Sequence, residues 1–227
     1  MISIPELIRW VSSFSVLIPI ILLIIVPYKS SAINILGIAL LVAFASDMGS
    51  LFLLFFKLSS TPLANFYTLI EFILISLIFQ KLFFKKRIVY IVILLFTLFF
   101  IIDSLYIEGV NNFQSYTTTT ESIIFIIYSV AYYIYLYKAV PHPSNDILKF
   151  SPAWINAAIF FYFSFDLFFF IVSKYVFTKM PRELHMTFWS FHNLCNILKN
   201  VLFAIGIYYA RHKKTEEKQK ILRYDLD

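Results

Sequence analysis

Seven long apolar runs constrain the fold of this 227-residue chain more than any other feature. They cover residues 10–26, 33–56, 64–84, 88–107, 122–137, 153–172 and 187–209. Each run is close to the roughly 17–25 residues that an α-helix needs to cross the hydrocarbon core of a bilayer. With 60% hydrophobic and 14% charged residues, the chain also lacks the polar surface of a soluble globule. We therefore predict an all-α polytopic membrane protein, a bundle of seven transmembrane helices.

The apolar runs occupy most of residues 1–210, which leaves no room for a separate soluble catalytic domain. Because the connections are short, successive helices are expected to be antiparallel neighbours in one transmembrane domain. Residues 211–227 are predicted to form a basic, amphipathic cytoplasmic tail. Thr118 and Glu121 have the spacing of a capping box, which predicts a helix start beside the fifth run.

The distribution of Lys and Arg between the connections predicts the orientation in the membrane. With the amino terminus outside, thirteen fall on the inner side: Lys29, Lys81, Lys85, Lys86, Arg87, Lys138, Lys149, Arg211, Lys213, Lys214, Lys218, Lys220 and Arg223. Five fall on the outer side: Arg9, Lys57, Lys174, Lys179 and Arg182. Since cytoplasmic loops carry the positive excess, we predict an outside amino terminus and a cytoplasmic carboxyl terminus in a bacterial inner membrane. Topology then explains the basic pI, and no nucleic-acid partner is expected.

A polar stripe runs along the seventh apolar run. Its members are Trp189, His192, Asn193, Asn196, Lys199 and Asn200. Their spacings of 3, 1, 3, 3 and 1 place them on a single face of a helix. A charged lysine inside a membrane is costly unless it is paired. We therefore predict that Lys199 pairs with at least one of Asp47, Glu71 and Asp166.

These polar groups are predicted to lie at similar depths. With a rise of about 1.5 Å per residue, the carboxylates, His192 and the amides fall in the outer half of the membrane. The sequence thus predicts an outward-opening pocket that binds a ligand through Asp47, Glu71, Asp166, Trp189, His192, Asn193, Asn196 and Lys199. The alternative is that these residues are structural clamps between helices.

Several chemistries can be compared with this polar set. A microbial retinal protein would have an aspartate one turn before the lysine, and Cys195 occupies that position. A zinc hydrolase would need clustered histidines, whereas the spans contain only His192. No metal, cofactor or catalytic residue is therefore predicted. An intramembrane enzyme that acts on a lipid-like substrate through Asp, Glu and His stays open as the second hypothesis. A small-solute transporter is the third.

Short stretches of the chain resemble a group of small, uncharacterised seven-helix bacterial inner-membrane proteins. They are residues 65–72, 154–156, 161–164, 189–193 and 196–200. The resemblance implies a stand-alone sensory or accessory protein that works beside a signalling kinase, and it marks Glu71 and His192 as characteristic. We therefore expect a receptor- or sensor-like protein whose partners are the lipid bilayer and a cytoplasmic signalling protein. The oligomeric state is left open.

Reporter fusions test the predicted orientation. A fusion after Asp227 should report a cytoplasmic location, and a fusion within residues 108–120 should report a periplasmic one, because the Lys and Arg excess sets the topology. A periplasmic signal after Asp227 would contradict both the orientation and the outward-opening pocket.

Overall fold

The computed structural model describes residues 3–25, 30–83, 85–139, 150–179 and 181–210, and all regular structure within these ranges is helical. The elements are α1 (Ile4–Ser15), α2 (Leu17–Ile25), α3 (Ser31–Phe55), α4 (Thr61–Leu82), α5 (Lys86–Ile102), a π-helical turn (Asp103–Ile107), α6 (Ser115–Ala139), α7 (Ser151–Lys179) and α8 (Arg182–Ala210). Because α2 follows α1 after one residue and the π-helical turn extends α5, the described elements form seven helical rods. The predicted all-helical fold is confirmed. The predicted tail, 211–227, lies outside the described residues.

Six of these rods are long and apolar enough to cross a membrane. They are Ile4–Ile25, Ser31–Phe55, Thr61–Leu82, Lys86–Ile107, Ser115–Lys138 and Ser151–Val172. The rod that is not among them is α8, because its stripe of amides, histidine and lysine lowers its mean hydropathy. Its length of 29 residues exceeds what a membrane span requires.

Two helices begin six or seven residues before the apolar runs that predicted them, the largest differences among the seven rods. The first rod starts at Ile4 because the Ser3 side chain accepts a hydrogen bond from the Glu6 amide, and the Glu6 carboxylate accepts one from the Ser3 amide. The α6 helix starts at Ser115, so the predicted capping box at Thr118 is wrong. Within the helix, the Thr118 hydroxyl donates to the carbonyls of Gln114 and Ser115.

Ring contacts between buried aromatic residues show how the rods run. Along α4 and α6, Phe72 packs on Phe125 and Phe79 on Tyr128, so these two helices run in the same direction. Other contacts join Trp154 of α7 to Tyr209 of α8, and Phe169 of α7 to Phe188 of α8. The helices α7 and α8 are therefore antiparallel. In addition, α8 packs against α1 and α2.

The loop between the π-helical turn and α6, residues 108–114, covers one end of the bundle. The Asn65 side chain at the start of α4 donates to the carbonyls of Val110 at 2.9 Å and Asn112 at 2.8 Å. The Glu108 carboxylate accepts the Tyr116 amide at the start of α6, and Gly109 has a φ of 84° that favours glycine. These bonds fix the loop over this end, called the 108–114 end below.

A close approach between α7 and α8 yields a stability prediction. A Cβ on Gly206 would meet Ile155 Cγ1 at 3.0 Å and the Ser151 carbonyl oxygen at 3.3 Å, so Gly206→Ala should lower the thermal unfolding temperature in detergent. Overpacking costs about 1–3 kcal/mol, which outweighs the gain of about 1 kcal/mol in helix propensity.

The matched control is Gly37→Ala, whose Cβ would meet only the end of the Leu23 side chain at 3.3 Å. It should be at least as stable as the wild type, because a side-chain terminus can shift. Equal unfolding temperatures for the two variants would contradict the close α7–α8 packing.

Candidate functional site

A cavity of about 260 Å³ lies among the helices near the 108–114 end. All eight predicted site residues line it: Asp47, Glu71, Asp166, Trp189, His192, Asn193, Asn196 and Lys199. They come from α3, α4, α7 and α8, and the lining also includes Phe113 of the 108–114 loop. The structure therefore brings the predicted residues together around one space. Their role in binding a ligand stays a prediction.

Lys199 is paired as predicted, and its partner is Glu71. Its Nζ atom lies 3.4 Å from Glu71 Oε1, and the two side chains are only 8% and 10% exposed. The same Nζ atom lies 3.8 Å from the centre of the Tyr162 ring, so a cation–π contact adds to the ion pair. The charged end of Lys199 therefore lies inside the bundle, where Glu71 of α4 is its counterion and Tyr162 of α7 provides an aromatic face.

His192 and Asp166 form a second close pair. The His192 Nδ1 atom lies 2.9 Å from Asp166 Oδ1, and the Asp166 side chain is 4% exposed. An ionised Asp166 carboxylate can only accept, so Nδ1 would carry the proton in a bond to that form. The Tyr162 hydroxyl also interacts with the Asp166 carboxylate. One tyrosine therefore contacts both pairs, through its ring and through its hydroxyl.

Two amides of the stripe connect α8 to α1. The Asn196 side chain donates to the Ser12 hydroxyl at 3.0 Å, and the Asn200 side chain donates to the Ser15 hydroxyl at 2.7 Å. For these two residues the structure shows interhelical clamps, the alternative considered above. The serines were missed by the sequence reasoning, although their polarity within an apolar run was a usable signal.

Glu121 is a cavity residue that the sequence reasoning also missed. The predicted capping box puts Glu121 in the first turn of the fifth helix, whereas α6 begins at Ser115 and carries Glu121 about 9 Å along the helix. The residue lines the cavity and is 4% exposed. Within the described part of the chain, its Oε1 atom has no hydrogen-bond partner.

Asp47 is the fourth carboxylate of the cavity, and it is half-buried. The cavity's ion pairs within the described ranges are those of Lys199 with Glu71 and His192 with Asp166. Neither Asp47 nor Glu121 has such a partner there. Among the same residues, no three His, Cys, Asp or Glu side chains are grouped as a metal site requires.

No family model, curated protein or solved structure matches this chain. The cavity and its residues are therefore the features that bear on function, and the resemblance to seven-helix bacterial membrane proteins stays a prediction.

The Lys199–Glu71 pair can be tested by a double-mutant cycle in thermal or denaturant unfolding. Lys199→Met and Glu71→Gln should each destabilise the protein, by about 3–5 kcal/mol, because removing one partner strands the other in a buried site. The double variant should lose less than the sum of the two single losses.

Lys81→Met is the control, because Lys81 is exposed at the end of α4. It should leave the unfolding transition unchanged. If Lys199→Met behaved like Lys81→Met, the buried pair would not contribute to stability.

Proposed function

We propose that this protein is a receptor- or sensor-like membrane protein that binds a small polar ligand in the cavity near the 108–114 end. The main support for this proposal is that ionisable side chains from α3, α4, α6, α7 and α8 line one cavity inside an apolar bundle. Buried ionisable groups in a membrane are expensive and are mostly retained for function. Clamps explain Asn196 and Asn200, but they do not explain Glu121, whose Oε1 atom contacts no donor in the described ranges.

The proposal includes α8 as a seventh membrane span. Its polar stripe faces the cavity, whereas Phe191, Leu194, Leu198 and Val201 are exposed on another face. The spacing of 3, 4 and 3 puts these four residues on one apolar side, which suits contact with lipid. A buried polar face and a lipid-facing apolar face together account for a spanning helix of modest mean hydropathy.

The sidedness of the cavity follows from the proposed topology. With the amino terminus outside, the 108–114 end faces the outside of the inner membrane, and the cavity lies in the outer half of the bundle. A ligand would then enter from the periplasm. The basic loops and the tail, residues 211–227, would meet a cytoplasmic signalling partner.

The enzyme hypothesis has weaker support. Lipid hydrolysis by carboxylates needs one acid held protonated beside one free base. Glu71 and Asp166 are held by Lys199 and His192. The other two acids of the cavity, Asp47 and Glu121, form no hydrogen bond with each other within the described ranges. The transporter hypothesis has no feature of its own in the described residues that favours it over a receptor.

A cavity-filling variant tests the proposed function. Ala43 lines the cavity on α3, so Ala43→Trp should fill part of it. Purified protein is screened by thermal shift against small polar metabolites. Compounds that raise the unfolding temperature of the wild type should lose at least tenfold in affinity for Ala43→Trp, because the indole occupies their space.

The matched control is Ala45→Trp, which adds the same side chain at an exposed position of the same helix. It should bind these compounds like the wild type. If no compound stabilised the wild type, or if both tryptophan variants bound equally well, the cavity would not be a ligand site.

A further inference from the structure

The cavity contains more carboxylates than cations. Four acids line it, namely Asp47, Glu71, Glu121 and Asp166, against Lys199 and His192. Four carboxyl groups therefore face two basic side chains. Glu71 and Asp166 are matched by their pairs. The excess therefore belongs to Asp47 and Glu121.

Glu121 is placed to receive a partner from the cavity. Leaving a buried acceptor unsatisfied is costly, and an acceptor that borders a cavity can be satisfied by a group bound there. Glu121 is 4% exposed and lines the cavity, and its Oε1 atom accepts no hydrogen bond from the described residues. Its electrostatic neighbours include Glu71, Asp166 and Lys199, all of them cavity residues.

Asp47 belongs to the same group of charges, since its electrostatic neighbours are Lys199, Glu71 and His192. The two unmatched acids thus share the neighbours Glu71 and Lys199. An ionised Glu71 repels the charged form of each, and an apolar bundle screens this repulsion poorly. A cation that enters the cavity would relieve this repulsion and supply the donor that Glu121 lacks.

The walls of the cavity suit an organic cation. The Tyr162 ring already holds one ammonium group, that of Lys199, at 3.8 Å from its centre. Further aromatic side chains in the lining are Tyr67, Phe113, Phe170, Trp189 and Phe203. Aromatic faces together with carboxylates are the chemistry that recognises ammonium ions. The volume, about 260 Å³, equals roughly nine water molecules at about 30 Å³ each, which suits a small molecule.

We propose that the ligand of this cavity is a small organic cation with a primary ammonium group, which donates to Glu121 and is attracted by Asp47. This inference rests on the proposed ligand-binding function and names its ligand class. An anion would meet the excess of carboxylates and be repelled. A neutral ligand would leave the two acids uncompensated unless both held protons.

Isothermal titration calorimetry with full-length protein in phosphatidylcholine nanodiscs tests this assignment, because neutral lipid does not itself concentrate amines. The probes are n-butylammonium and 1,4-diaminobutane, with 1,4-butanediol as the neutral counterpart and succinate as the anionic one. At least one ammonium probe should bind, and the diol and succinate should bind at least tenfold more weakly.

Glu121→Gln should weaken binding of the ammonium probe at least tenfold, because it removes the charge and keeps the shape. Asp103→Asn is the matched control: Asp103 is 0% exposed and has an unpartnered Oδ1 atom within the described ranges, but it does not line the cavity. It should bind like the wild type. If Glu121→Gln does not fold, Asp47→Asn replaces it as the test variant, because Asp47 is only half-buried. Asp47→Asn should also weaken binding of the ammonium probe.

The possible results distinguish failure of the cation assignment from failure of the proposed ligand-binding function. If the diol or succinate bound as tightly as the ammonium probes, and Ala43→Trp abolished that binding, the cavity would be a ligand site of another class. If neither ammonium probe bound, or Glu121→Gln had no effect on binding, the cation assignment would be overturned. The metabolite screen with Ala43→Trp and Ala45→Trp decides the proposed function independently.

Discussion

The ion pair between Lys199 and Glu71 is the interaction on which the arrangement of the site depends. A lysine in an apolar helix must find a counterion, and it finds one on α4 at 3.4 Å. This pair turns the polar face of α8 toward α4 and α7. The same rotation brings His192 to Asp166 and Asn196 to Ser12. The buried charge of Lys199 thereby determines which face of α8 points into the bundle, and the apolar face of α8 points outward.

The polar groups on α8 and on the helices around it form two sets with different contacts. Asn196 and Asn200 hold α8 against α1 through the Ser12 and Ser15 hydroxyls, which serves packing. The acids around Lys199 form a second set, because their number exceeds what the available cations can match. The helix α8 is therefore both clamped to α1 and paired with acids of α4 and α7.

Much of the fold and part of the site could be predicted from local patterns. Apolar runs predicted the helices, and the spacing of the stripe predicted which residues of α8 share a face. Helix starts were less certain, because hydrophobicity does not register polar first turns such as Ser3–Glu6 or the threonine-rich start of α6. Because of that error, the prediction puts Glu121 at a helix start, although this residue is one of the carboxylates that line the cavity.

The sequence by itself determined the helical class, the polar face of α8 and the need of Lys199 for an acid, because composition and periodicity are local properties of the chain. It left three acids as candidate partners. Only the tertiary structure decided that Glu71 pairs with Lys199, that Asp166 pairs with His192, and that Asp47 and Glu121 form no ion pair with the described residues. The physical reason is that partner choice depends on how helices distant in the chain rotate and slide against one another, and helical periodicity carries no information about that registration.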